Sequence, residues 1–295
     1  MTKETISDET KTQISTDLSA YVTNVAGGSA NKASKMLTGI SNAYISNMLN
    51  GKWEMISDDA WRNVQKQVSN SQTDWVTVDT KATQKLTKLF QDAKDHANVF
   101  GIIAEAGTGK THVCKAFDTV DNVFVLSCAE YWNRKTFLSE LMRKMGIESS
   151  GYTVWEMMAK VINHVQRVDT PLIVLDEADK LADQVFYFFI TLYNQLEGKC
   201  GIILLATNFL ERRVNRGLRL NKKGYKEIYS RIGRKFIEIP QPKAPEVKAL
   251  LMANGITDAL TIQAITNAAE GDLRRVKRLV HAERQKSRRE VQREA

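Results

Sequence analysis

The residues Val99-Phe100-Gly101-Ile102-Ile103 run directly into Ala104-Glu105-Ala106-Gly107-Thr108-Gly109-Lys110-Thr111, and a stretch of helical character follows. Few patterns limit a fold so tightly. An apolar strand, a glycine-bearing turn and a helix start, in that order, aim main-chain N–H groups at one point on a helix N-terminus, which makes an anion site out of backbone. Gly107 and Gly109 permit the turn. Lys110 adds a flexible positive charge for β- and γ-phosphates, and Thr111 a hydroxyl for Mg²⁺. Ala106, Gly107, Thr108, Gly109, Lys110 and Thr111 are therefore the candidate contacts to ATP. Where such loops usually begin with glycine this one has Ala104, which keeps the small size.

A loop of this kind gains weight from a partner. Leu172-Ile173-Val174-Leu175 reads as a buried strand that delivers Asp176 and Glu177 at its carboxyl end, where open α/β sheets bind ligands. Asp176 is placed to hold Mg²⁺ through water, and Glu177 to orient and deprotonate an attacking water. An acid-rich helix start at Ala178 would also account for neighbouring acids. It does not account for four apolar residues before them, downstream of a phosphate loop.

The same alternation extends through the middle of the chain. Apolar runs at 99–103, 123–126, 172–175, 202–206 and 236–239 are separated by helix-like segments such as 136–145, 154–166 and 178–196. Short apolar runs divided by helices predict a parallel sheet covered on both faces, an α/β core. Pro240, Pro242 and Pro245 break the pattern, and beyond them it is helical. The polar run at 69–74 is a second break. The expected organisation is an all-α unit at 1–72, an α/β core at 73–240 and a small helical lid at 241–295. No apolar stretch reaches the roughly 18–20 residues of a membrane span. The polar N-terminus does not resemble a secretory signal. Cys114, Cys128 and Cys200 are far apart, as reduced thiols would be. A cytoplasmic location follows as an expectation.

Three further segments refine the class. The run 202–206 ends in Thr207-Asn208, Tyr229-Ser230-Arg231-Ile232 precedes the fifth strand, and Gly271-Asp272-Leu273-Arg274-Arg275 lies in the lid. In this order they resemble the sensor-1, arginine-finger and sensor-2 segments of AAA+ ATPases. The resemblance implies that Asn208 contacts the γ-phosphate or the water. It implies that Arg231, or alternatively Arg234, reaches a neighbouring subunit's nucleotide, and that Arg274 reaches the phosphates from the lid.

The chain's formal charge is +8, and residues 211–236 alone supply that excess, with ten Lys/Arg against Glu211 and Glu227. Such a concentration suits a polyanion; a solvated loop with a few structural arginines is the plainer alternative. Near the N-terminus, residues 29–53 read as a helix, a turn at Gly39 and a second helix capped by Ser41, which is a helix-turn-helix. Ile40, Ile45 and Met48 should face its core. Asn42 and Asn47 would lie toward a major groove, with Lys52 at a phosphate; a three-helix bundle without DNA contact competes.

This repressor-like unit followed by a compact AAA+ core resembles the ATPase helpers of DNA transposition typified by phage Mu transposition protein B. The resemblance implies an ATP- and Mg²⁺-dependent, largely non-sequence-specific double-stranded DNA binder. It would form a homo-oligomer, a helical filament or a ring, and activate a transposase. DNA contacts would come from Arg134 and Lys135 in the loop after the second strand, and from Arg212, Arg213, Arg216, Arg219, Lys222 and Lys223. An AAA+ replication initiator or helicase loader shares most of these features. A nucleotide-switched regulatory ATPase without DNA is the reading from another class.

Overall fold

The computed structural model describes residues 5–24, 26, 28–68 and 75–294, the side chains of Asn24 and 287–294 excepted. The chain divides into two compact units, Met1–Val76 and Thr77–Ala295. The polar run read as a break at 69–74 lies outside the described residues.

The first unit is built from α1 (Asp8–Asn24), α2 (Ala30–Met36), α3 (Asn42–Leu49) and α4 (Asp58–Val68). Ser29 and Ser41 start the two short helices, their hydroxyls accepting from the N–H groups of Lys32 and Tyr44. Gly39, at φ +73°, makes the turn between them. Ile40, Ile45 and Met48 are buried, as the spacing predicts, with Ile14, Leu18, Trp61 and Val64. Trp53 meets Trp61 edge to face at 5.6 Å.

The second unit holds five parallel strands in the order β2-β3-β4-β1-β5. They are β1 (Val99–Ala104), β2 (Val123–Ser127), β3 (Leu172–Asp176), β4 (Gly201–Ala206) and β5 (Phe236–Ile239), at the positions the apolar runs predict. Their side chains alternate between two cores. Ile173, Leu175, Ile202 and Leu204 face α7 (Arg134–Lys144), α8 (Val154–Val165), α9 (Asp183–Leu196), α10 (Asn208–Arg219) and α11 (Tyr225–Arg231). Leu172, Val174, Ile203 and Leu205 face α5 (Lys81–His96) and α6 (Lys110–Phe117). This two-sided burial is why the strands read as unbroken apolar runs. After β5 the chain forms α12 (Ala244–Ala253), α13 (Ala259–Ala269) and α14 (Leu273–Glu294). Among the described residues no helix is long and apolar enough to cross a membrane.

Three local expectations are corrected. The segment 178–196 is not one helix: Ala178–Lys180 is a 3₁₀ turn, and α9 starts at Asp183. Arg213 takes the carbonyls of Asp179 and Leu181, the acceptors a continuous helix would use for its own ladder. Arg134 and Lys135 belong to the first turn of α7, not to a loop, because the Asn133 carboxamide accepts from the N–H groups of Lys135 and Thr136. The basic stretch is mostly helical, being α10 and α11. Helix α5 was not anticipated, although Thr80 and Thr83 form a reciprocal cap and Ala82, Leu86, Phe90 and Ala93 make a buried stripe.

Candidate nucleotide site

The phosphate loop and the carboxylate pair arise on strands that are not neighbours, since β4 lies between β1 and β3. The register sets their ends level: Ile103 pairs with Ala206, and Asp176 with Leu205. The loop after Ala104, the Thr207-Asn208 step and the Asp176-Glu177 step thus leave the sheet together at its carboxyl edge.

Gly107 (φ +76°) and Gly109 (φ +96°) adopt left-handed backbone, and Gly109 opens α6. Thr108 is fully buried and its hydroxyl donates to the Glu105 carbonyl at 2.8 Å. Lys110 Nζ donates to the carbonyls of Ala104 and Glu105, the latter at 2.9 Å. Burial lowers its pKa, with the charges of Asp176 and Glu105 opposing. Ala106 and Thr111 are exposed on the loop and at the start of α6.

Asp176 is 7% exposed, and its Oδ1 accepts from the Glu177 N–H at 2.9 Å. Burial pushes its pKa up; the Glu177 charge adds to this, while the Glu177 N–H and Lys110 oppose it. Glu177 is exposed at φ +56°, a conformation few non-glycine residues adopt. Its carboxylate is paired with Lys180 Nζ at 2.7 Å, which raises the Lys180 pKa. Thr111 and Asp176 line the same cleft of about 330 Å³ between α6 and α7. A hydroxyl and a carboxylate offer the hard oxygen donors that Mg²⁺ takes, so the residues present fit that ion.

The other candidates are placed as follows. Asn208 is half-buried as the first residue of α10, and the preceding Thr207 hydroxyl donates to Asp179 Oδ2 at 3.0 Å. Arg231 lies against α9, donating from Nη2 to Asn194 Oδ1 at 3.0 Å with its guanidinium 5.0 Å from the Tyr193 ring centre. Arg234 is exposed at φ +56°. Arg274 is exposed, and its N–H donates to Asp272 Oδ1 at 2.8 Å. The C-terminal helices touch the loop directly: Leu273 N–H donates to the Gly107 carbonyl at 3.0 Å. A Cβ on Gly107 would fall 1.9 Å from Asp272 Oδ1 and 2.8 Å from its Cα, so the approach requires glycine. The sequence reading missed Thr83 of α5, whose methyl packs against Gly109; the Thr-x-x-Thr cap was its signal.

Among the residues read as DNA contacts, Asn42 and Lys52 are exposed and Asn47 is half-buried. Arg134 and Lys135 are exposed on α7. Arg212, Arg216 and Arg219 are exposed along α10, while Leu210, Val214 and Gly217 of the same helix are buried. Lys222 and Lys223 are exposed between α10 and α11, with Lys222 Nζ 3.7 Å from Asp183 Oδ2. Arg213 departs from the group. Its guanidinium turns inward to Tyr225, Asp179, Leu181 and Asp183.

Comparison with known proteins adds a family model, described as an AAA domain, that matches residues 93–214. No curated protein matches the chain. Several solved structures are similar in part. The ORC1 protein of Aeropyrum pernix in complex with DNA is 17% identical over 70% of this chain and 60% of its own, with a TM-score of 0.48. Cdc6p of Pyrobaculum aerophilum is 17% identical over 70% of this chain and 62% of its own, at 0.49. The Drosophila ORC bound to DNA is 13% identical over 66% and 50%, at 0.44. The chain thus spans about three-fifths of the length of the first two. Residues 93–214 thus match an AAA domain, and the five-stranded parallel sheet with its loop at Gly107–Lys110 has the AAA+ P-loop fold.

Proposed function

We propose that the chain is an ATP-hydrolysing AAA+ protein that binds double-stranded DNA largely without regard to sequence, assembles head to tail on it, and directs a DNA transposase. The observation that carries the nucleotide part of this reading is the Leu273–Gly107 hydrogen bond, which ties the C-terminal helices to the loop that would hold the phosphates. Helices in that position would respond to nucleotide. The row Arg212, Arg216 and Arg219 supports the DNA part, since exposed arginines contact phosphates without reading sequence. The order of motifs, a repressor-like unit before the AAA+ core, supports the transposition part. The work would be done in the cytoplasm.

In this mechanism the N–H groups of 106–111 cradle the phosphates, and Lys110 leaves the Ala104 and Glu105 carbonyls to join them. Thr111 and Asp176 would hold Mg²⁺, which when bound would neutralise charge on the phosphate oxygens. Glu177 takes a proton from water as general base, and Asn208 orients that water. Arg231 acts on a neighbouring subunit's nucleotide and Arg274 acts from the lid, each countering charge that develops on the transferred group. A heterologous contact of this kind makes a ring where it closes and a filament where it does not.

The test is steady-state ATP hydrolysis with and without non-specific double-stranded DNA, with Glu177→Gln as control. Marked stimulation that the mutant abolishes is expected. Stimulation followed by capture of a replicative helicase instead of a transposase would move the protein to the loaders. Turnover indifferent to DNA, with no ATP-dependent DNA binding, would leave a nucleotide-switched regulatory ATPase.

A further inference from the structure

One guanidinium holds three elements of the ATPase unit together. Arg213 leaves the inner side of α10 and donates from Nε to the Tyr225 hydroxyl at 2.9 Å. Nη1 donates to the Leu181 carbonyl at 2.6 Å and to the Asp179 carbonyl at 3.3 Å. Nη2 donates to Asp183 Oδ1 at 2.6 Å, and the guanidinium carbon stands 4.8 Å from the Phe186 ring centre. The Tyr225 hydroxyl closes the group by donating to the same Asp183 oxygen at 2.8 Å. Tyr225 is 1% exposed, and its ring lies where any side chain at position 217 would be: a Cβ on Gly217 would fall 2.3 Å from it.

These contacts fall at informative places. Asp179 and Leu181 belong to the turn that starts at Glu177, the residue read as the general base. The same turn is held a second time by the Thr207 hydroxyl on Asp179 Oδ2, one residue before Asn208. Tyr225 begins α11, and that helix ends in Arg231. Asp183 begins α9, whose Tyr193 and Asn194 hold the Arg231 guanidinium. The base-bearing turn and the finger-bearing helix are thus joined through Arg213, and Thr207 ties the same turn to the tip of β4. Lysine could not replace it, because its three donors sit on one nitrogen, whereas these partners are met by three nitrogens spread across a planar fork.

We propose that Arg213 is a positioning residue for ATP hydrolysis, and not a DNA contact as its place in the basic stretch suggests. It holds the left-handed Glu177 turn and sets α11 against it, so that base and finger keep one relative placement. The inference rests on the readings of Glu177 as general base and of Arg231 as finger.

The test compares the wild-type full chain with Arg213→Lys, Arg213→Gln, Tyr225→Phe and Glu177→Gln. Three quantities are measured: kcat and KM for ATP without DNA, the Kd of a fluorescent ATP analogue, and the salt dependence of DNA affinity. For both Arg213 variants kcat should fall about 10–100-fold while the analogue's Kd stays within about twofold, a misplaced base weakening the transition state and not nucleotide binding. Their DNA salt slope should match wild type. Tyr225→Phe, which keeps the guanidinium and the ring, should lower kcat by a smaller factor, and it carries the test if the Arg213 variants do not fold. Wild-type kcat in Arg213→Gln, or in Tyr225→Phe where that alone folds, overturns the proposal. So does a drop of about one in the salt slope with kcat intact, since that is the mark of a cation that neutralises a DNA phosphate. Wild-type turnover no faster than Glu177→Gln would instead overturn the hydrolysis reading on which the inference rests.

Discussion

The main-chain N–H of Leu273 donates to the carbonyl oxygen of Gly107 at 3.0 Å, so α14 begins on the phosphate loop. Asp272 flanks this contact. Its carboxylate accepts from the N–H groups of Arg274 and Arg275, capping α14, and it covers the face of Gly107 where a side chain would be. Asp272→Ala should cost about 1 kcal/mol through removal of the cap, or roughly 2–4 °C of melting temperature in a unit of this size. Nucleotide affinity should fall with it. A calorimetric scan with and without an ATP analogue checks both, and an unchanged melting temperature would argue that the cap contributes nothing.

Asp176 pits the fold against the metal. Burial raises its pKa. An acid whose folded pKa lies above its unfolded value, about 3.9, favours the folded state only while protonated. That contribution is present below the unfolded pKa and is lost as pH rises through the folded one. At neutral pH the buried carboxylate therefore costs stability. Asp176→Asn, whose amide oxygen can still accept from Glu177 N–H, should raise the ligand-free melting temperature. It should also remove the added stabilisation by Mg²⁺ and ATP. The advantage over wild type should shrink as pH is lowered toward about 4, the range of an unperturbed aspartate.

Glu177 carries no packing role, being exposed and paired with Lys180. Glu177→Gln should reduce kcat by about 10²–10⁴-fold, the usual span of a general base, while nucleotide binding persists. Equal losses in kcat and in affinity would show that the side chain serves binding as well.

Removing Arg212, Arg216 and Arg219 together should lower the slope of log affinity against log salt by about 2–3, near 0.9 for each phosphate no longer neutralised. Reversing the charge of Arg134 and Lys135 tests α7 in the same assay. A parallel offset at constant slope would mean that these side chains do not neutralise phosphates.

Ile45 is fully buried in the N-terminal unit. Ile45→Ala should destabilise that unit by about 2–5 kcal/mol and leave basal ATP hydrolysis unchanged. Circular dichroism melting alongside turnover decides this, and a matching loss of turnover would show that the two units fold as one.

By itself the sequence determined the sheet, the phosphate loop, the carboxylate pair and the helix-turn-helix. Each depends on neighbours in the chain: strands buried on both faces must be apolar at every position, and a loop that cradles phosphates must carry its glycines in order. Only the tertiary structure decided what Arg213 does, where α9 begins, and that Asp272 sits on Gly107. Arg213 stands in a run of ten Lys/Arg, and nothing local separates it from Arg212. Position along α10 does: Arg212 falls on the exposed side, whereas Arg213 reaches Asp183 and Tyr225 from elements distant in the chain. Charge in a sequence reports that a cation exists. Whether it faces an outside anion or a carboxylate of its own fold depends on which side of the helix the packing turns inward.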